Sequence, residues 1–221
     1  MQQKPMYGRP AFDPTLYLVV GGDAVHGRAV TDVVAAAVRG GVTLVQVREK
    51  SLPNAELVAC ARALVDLLTP LGVPLIINDR VEVAIAAGAA GVHLGQDDAH
   101  AGQARSLLGP GGIIGVSAGT MDEAATVSAG LADYVGVGAV FPTGSKADAG
   151  PAIGIAGLVA LMARLPLPVV AIGGIHAGTA AQVAAAGVAG VAVVSAICAA
   201  DDPEMAARSL RQAIAAGRPE R

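Results

Sequence analysis

The sequence predicts a single-domain α/β protein folded as a (β/α)8 barrel, and three observations carry that prediction. Eight short Val/Ile/Leu-rich runs alternate with Ala-rich segments of helical spacing along a chain of 221 residues, the pattern of repeated strand-then-helix units. Polar residues follow almost every apolar run, whereas a doubly wound open sheet, the main competitor, needs them only near its switch point. No Gly-rich fingerprint of dinucleotide-binding form follows the first run.

The elements follow in order. Leu16–Val20 is a strand ending in Gly21-Gly22-Asp23, and Val30–Arg39 a helix stopped by Gly40-Gly41, a C-terminal cap. Thr43–Val47 is a strand that runs into Arg48-Glu49-Lys50. Asn54–Leu68 is helical, with Asn54 a candidate cap and Pro70 and Gly72 closing it. Leu75–Ile77 and Gly91–Leu94 are strands joined by the helix Val81–Ala87, and Ala99–Leu108 is the next helix. Ile113–Val116 leads to Ser117 and the helix Met121–Ser128. Tyr134–Val137 leads to a long loop over Phe141–Ala152 and the helix Ile155–Arg164. Val169–Ile172, the helix Thr179–Ala186, the strand Val191–Val194 and the helix Pro203–Ala215 complete the chain.

Composition narrows the function. Aromatic residues are only 2% of the chain and Trp is absent, so the core is expected to be built from small aliphatic side chains. A net charge of −3 gives no footprint for nucleic acid or an anionic membrane. Leu165–Ala200 contains no Asp, Glu, Lys or Arg. Yet Pro166, Pro168, Gly173-Gly174, Gly178 and Gly187 cut it into pieces shorter than the ~20 residues of a spanning helix. Cys60 and Cys198 are too few for a disulfide framework and read as small buried hydrophobes in a reducing, cytoplasmic protein. Residues 1–14 lack the apolar core of a secretory signal. They read as a flexible lead-in, with Arg9 placed to fold back over a site, and 15–217 as the catalytic barrel.

In a barrel the strand ends converge on one mouth. There the chain places Gln46, Arg48 and Lys50; Asn78 and Asp79; His93 and Asp98; Ser117; Thr143, Ser145 and Lys146; Gly174; and Ser195. Arg48, Lys50 and Lys146 with the Asp79/Asp98 pair suit a pyrophosphate and a divalent cation. Gly173-Gly174 and Val194-Ser195 fall in the last two loops, where barrels bind a single phosphate through backbone N–H groups, and Thr143 and Ser145 add hydroxyl donors. Two phosphate sites on one mouth imply transfer between two phosphorylated substrates. Each item alone has a duller reading. Asn78-Asp79-Arg80 and Asp97-Asp98 read as helix caps, His93 as a packed, hydrogen-bonded residue, and Glu49 as a surface partner for a nearby Arg or Lys. Only the joint pattern carries weight.

That joint pattern closely resembles the thiamine phosphate synthase family. The matching pieces are Gln46-Val47-Arg48-Glu49-Lys50, Ile77-Asn78-Asp79-Arg80, His93-Leu94-Gly95-Gln96-Asp97-Asp98 and Gly115-Val116-Ser117. Asp133 to Gly138, Phe141-Pro142-Thr143-Gly144-Ser145-Lys146, Ile172-Gly173-Gly174-Ile175 and Val194-Ser195-Ala196-Ile197 follow in the family's order. The resemblance implies a Mg2+-dependent transferase that joins a hydroxymethylpyrimidine diphosphate to a thiazole phosphate. It would release pyrophosphate and, with the carboxylated thiazole, CO2. It implies Mg2+ on Asp79 and Asp98, and the pyrimidine diphosphate on Gln46, Val47, Arg48, Glu49, Lys50, Asn78, Ser117 and Lys146. Of these, Arg48, Lys50, Ser117 and Lys146 would act on the reacting diphosphate. Thr143, Gly144, Ser145, Gly174, Val194 and Ser195 would hold the thiazole phosphate. Ser145 departs from the family's usual Thr, losing a methyl and keeping the hydroxyl. The segment Phe141–Pro151 is a candidate lid.

Three rivals share the barrel. A thiazole tautomerase paralogue typically lacks the second aspartate and the serine after the fifth strand, and Asp98 and Ser117 are both present here. A non-catalytic phosphate-binding barrel has no reason to keep Asp79, Asp98 and Lys146 together. An isomerase or epimerase needs a strand-end carboxylate base with no metal demand. A core so short of aromatics also leaves room for a homo-oligomer that covers apolar helix faces.

Overall fold

The computed structural model describes residues 11–96, 98, 100–144 and 150–218. Eight parallel strands close into one barrel: β1 (Leu16–Val20), β2 (Leu44–Val47), β3 (Leu75–Asn78), β4 (Gly91–Leu94), β5 (Ile113–Ser117), β6 (Tyr134–Val137), β7 (Val169–Ile172) and β8 (Gly190–Val193). Closure comes from β8 pairing with β1, Leu16 opposite Val191 and Leu18 opposite Val193. Outside lie α1 (Val30–Arg39), α2 (Asn54–Leu68), α3 (Val81–Ala87), α4 (Ala101–Leu108), α5 (Met121–Thr126), α6 (Gly154–Met162) and α7 (Ala177–Ala185). A short α8 (Ser195–Cys198) and α9 (Pro203–Gly217) complete the ring. No helix among the described residues is long and apolar enough to cross a membrane.

Side chains alternate across the barrel wall, as strand pleating requires. Leu16, Leu18, Val20, Val45, Val47 and Ile77 face outward into a continuous layer beneath the helices. Tyr17, Val19, Leu44, Ile76, Ile113, Tyr134, Val170 and Ala192 fill the interior. The aliphatic core expected from composition describes the outer layer. The interior departs from it, because Tyr17 and Tyr134 are both fully packed inside the barrel, their rings 5.9 Å apart and edge to face. Glycines make that possible. A Cβ at Gly115 would lie 2.1 Å from the Tyr134 ring and 2.5 Å from His93 Nδ1, and one at Gly136 3.0 Å from His93 Cε1. From the lead-in, Phe12 packs on Tyr134 with centroids 5.6 Å apart.

Element boundaries differ from expectation chiefly at helix ends. Asn54 is the first helical residue of α2, following Pro53. Its side chain accepts from Arg80 Nη1 at 3.0 Å and donates to Glu82 at 3.3 Å, so the stronger partner across the loop wins over a local cap. Helix α4 starts after His100, whose Nδ1 accepts from Gly102 N at 3.2 Å. Asp98 instead accepts from Gly95 N at 2.6 Å. Helix α3 has Arg80 at its cap position with no side-chain cap bond, so Asn78 and Asp79 are not spent on capping it.

Candidate active site

The inward register that places Tyr17 and Tyr134 in the barrel also decides which strand-end residues reach the mouth. Gln46 lies opposite Ile76, and Asn78 opposite His93. His93 pairs with Gly115, and Ser117 with Gly136. Gln46, Asn78, His93 and Ser117 are therefore inward positions near the C-terminal ends of four consecutive strands. Val47 is one residue out of phase, 1% exposed within the outer layer, so only its backbone is offered to the mouth.

Strand β3 ends in a tight turn. Arg80 N donates to Asn78 O at 2.7 Å, and Asp79 between them has φ +64, a left-handed conformation that a non-glycine residue adopts at a cost. Asp79 N donates to His93 O at 2.9 Å, so the turn is tied to β4. The turn sets the Asp79 carboxyl against that of Asp98. It is pushed up to about 6 from an ordinary 3.8, first by burial and then by the hydrogen bond and charge of Asp98, while Lys50 and Arg48 pull it down. Two acids and two bases from three loops thus share one patch of the mouth.

Arg80 holds the third of those loops. Its Nη1 donates to Leu52 O at 2.6 Å and to Asn54 Oδ1 at 3.0 Å. Its Nη2 donates to Glu49 O at 3.2 Å and Lys50 O at 3.0 Å. One guanidinium, with its donors fixed in a planar fork, sets the path of the segment carrying Arg48 and Lys50. The Glu49 carboxylate accepts from Gly22 N, joining that segment to the β1 loop.

Across the mouth, the loops after β6, β7 and β8 hold the residues that the sequence offers for a second phosphate. Val140 N donates to Ile172 O at 2.9 Å and Phe141 N to Gly173 O at 3.0 Å, laying one loop on the next. Gly173 (φ +100) and Gly174 (φ +65) allow this. A Cβ at Gly173 would stand 2.6 Å from the Ala139 Cα, and one at Gly174 2.6 Å from Pro142 O. Thr143 and Gly144 continue from Pro142, beside Gly174. Directly after β8, Val194 precedes the four-residue α8, which begins at Ser195, the short extra helix where barrels gather a phosphate. Sequence periodicity could not show α8, because one turn has no period. Arg28 closes its far end, donating to Ala200 O at 2.8 Å and to Cys198 O, a cation at the negative helix terminus. Cys198 is buried, its thiol pushed up to about 12 mainly by burial. Ser145, Lys146, Asp97 and Arg9 lie outside the described residues.

The model of the thiamine monophosphate synthase family matches residues 16–197. The chain belongs to this family. Relatives named thiamine-phosphate synthase include one from Xanthobacter autotrophicus, 54% identical over 94% of this chain and 98% of its own. One from Azorhizobium caulinodans is 50% identical over the same shares. A solved thiamine phosphate pyrophosphorylase from Pyrococcus furiosus superposes with TM-score 0.82 at 34% identity, covering 92% of this chain and 96% of the other. The 3-hexulose-6-phosphate synthase of Salmonella typhimurium, at TM-score 0.68 and 17% identity, covers 92% of this chain and all of its own, and shares the fold alone.

The meeting of Asp79 with Asp98 has a measurable electrostatic consequence. A carboxyl whose folded pKa lies above its unfolded one destabilises the folded state when ionised. For Asp79 the penalty is absent below about 3.8, grows to about 6 and is full above it. Since the group is only half-buried, screening holds the penalty to about 1 kcal/mol. Asp98→Asn keeps the acceptor for Gly95 and removes the charge of Asp98 but not the larger contribution of burial, so it is expected to raise the melting temperature of ligand-free protein at pH 8 by only about 1–2 °C. At pH 4 it should give no gain, and calorimetry at the two pH values checks both.

Proposed function

We propose that this chain is a thiamine phosphate synthase that displaces pyrophosphate from a pyrimidine-methyl diphosphate with the ring nitrogen of a thiazole phosphate, using Mg2+. One observation carries the reading: Asp79 and Asp98 meet beside Arg48 and Lys50, on the same mouth as the glycine-lined cradle at Gly174 and Val194-Ser195.

The residues present fit a divalent cation. Two carboxyls pressed together, one pushed toward its neutral form, make a site short of positive charge, and hard oxygen ligands suit Mg2+. Among the described residues no group of three His, Cys, Asp or Glu side chains gathers. Two protein carboxylates with phosphate oxygens and water is the usual Mg2+ arrangement. When bound, the ion neutralises charge on the leaving diphosphate.

The chain's own residues do the rest. Arg48 and Lys50, held by Arg80, bind the diphosphate oxygens, and Ser117 and Lys146 add donors to the same group. Gln46 and Asn78 orient the pyrimidine. Thr143, Gly144, Ser145, Gly174, Val194 and Ser195 bind the thiazole phosphate, through backbone N–H groups at the glycines and Val194. No covalent nucleophile is required. The site holds two reactants in line and stabilises a departing anion.

The test mixes both substrates with and without Mg2+ and follows pyrophosphate. Release only with both substrates and the metal supports the reading. Thiazole tautomer exchange without pyrophosphate release would replace it with a tautomerase. Binding of either phosphate without turnover would replace it with a sensor barrel.

A further inference from the structure

The barrel interior carries a continuous line of hydrogen bonds between two parts of the mouth. Gln46 Nε2 donates to Tyr17 Oη at 2.7 Å, and Tyr17 Oη lies 2.8 Å from Tyr134 Oη. Tyr134 Oη lies 3.0 Å from His93 Nδ1, and His93 Nε2 lies 3.0 Å from Ser117 Oγ. Five residues from β2, β1, β6, β4 and β5 are linked end to end.

Donor counting gives this line a direction. A hydroxyl has one hydrogen to donate, and a buried O–H left without an acceptor is strongly disfavoured. Tyr17 receives the Gln46 hydrogen, so its own goes to Tyr134. Tyr134 receives that hydrogen and passes its own to His93 Nδ1. Nδ1 is then an acceptor, the imidazole is neutral, and its proton sits on Nε2, facing Ser117. Ser117 Oγ receives it, which turns the serine hydrogen away from His93. Burial pushes both phenols above their ordinary range, so each keeps its proton. Turning the Gln46 amide over would reverse every bond and aim the Ser117 hydrogen back at His93.

We propose that Tyr17, Tyr134 and His93 are positioning residues. They form a one-way hydrogen-bond line, set by Gln46, that fixes His93 as the Nε2–H tautomer and presents the Ser117 hydroxyl as a donor to an anionic oxygen in the mouth. The identity of that oxygen as a diphosphate oxygen rests on the proposed function; the direction of the line does not. The line also joins the two ends of the pyrimidine diphosphate site, because Gln46 is assigned to its ring and Ser117 to its phosphates.

The direction is read in ligand-free wild-type protein labelled with 15N-histidine. The expected spectrum shows His93 with a protonated Nε2 and an unprotonated Nδ1. A protonated Nδ1, alone or in an imidazolium, overturns the proposal. The action through Ser117 is read by calorimetric titration with magnesium pyrophosphate in a double-mutant cycle. Ser117→Ala is expected to weaken binding about tenfold, the loss of one charge-assisted hydrogen bond. Tyr134→Phe is expected to weaken it severalfold in the wild-type background and not at all in the Ser117→Ala background. Losses that multiply show a general packing effect and overturn the proposal. Wild-type protein that does not bind magnesium pyrophosphate overturns the functional reading and the hydroxyl's role with it, while the histidine spectrum still decides the direction.

Discussion

Asp79→Ala is expected to lower pyrophosphate release about 1000-fold or more while leaving the barrel folded. The carboxyl belongs to no core cluster, and its main side-chain neighbour, Asp98, repels it. Alanine at φ +64 costs about 1–2 kcal/mol of backbone strain, partly offset by the lost repulsion. Melting temperature should therefore fall by only a few degrees. Asp79→Gly, which accepts that φ freely, should melt like the wild type and be as inactive as the alanine variant. Either variant retaining a tenth of the wild-type rate would defeat the shared-metal reading.

Gly174→Ala is expected to act on the other half of the mouth. The new Cβ would fall 2.6 Å from Pro142 O and 2.8 Å from the Phe141 Cβ, at a φ of +65 that alanine resists. The contacts are backbone and near-backbone, so the loops after β6 and β7 must part. The Michaelis constant for the thiazole phosphate should rise at least about tenfold, that for the pyrimidine diphosphate should change little, and the protein should melt several degrees lower. Gly111→Ala, away from the mouth, is the contrast, since a Cβ there meets nothing within 4 Å among the described residues and its φ is not left-handed. Steady-state kinetics with each substrate varied in turn separates the two.

Much of this was legible in the sequence, for identifiable reasons. Each strand is a bounded apolar run followed by polar residues, and each run proved to be a strand within a residue or so. The meeting of Asp79 with Asp98 could be reached by assuming that β3 and β4 are parallel neighbours, which the Asn78–His93 pairing shows. Facing was less legible. Val47 sits among mouth residues in sequence but one step out of phase with Gln46. The role of Arg80 was hidden because its acceptors are four carbonyl or amide oxygens from 49 to 54, and carbonyls leave no mark in a sequence. The buried tyrosines were hidden likewise. That Tyr17 and Tyr134 meet depends on the closure of β1 and β6 around one interior, and on space left by Gly115 and Gly136.

Arg80 has a consequence for how this mouth can change. Because a single guanidinium gathers carbonyls from Glu49 to Leu52 one residue after the turn that aims Asp79, the lengths of both segments are locked together. An insertion in either would detach the clasp and misdirect the neighbouring acid at once. Variation in substrate choice therefore has an easier route through the loops on the opposite rim, which lie outside the span of the Arg80 clasp.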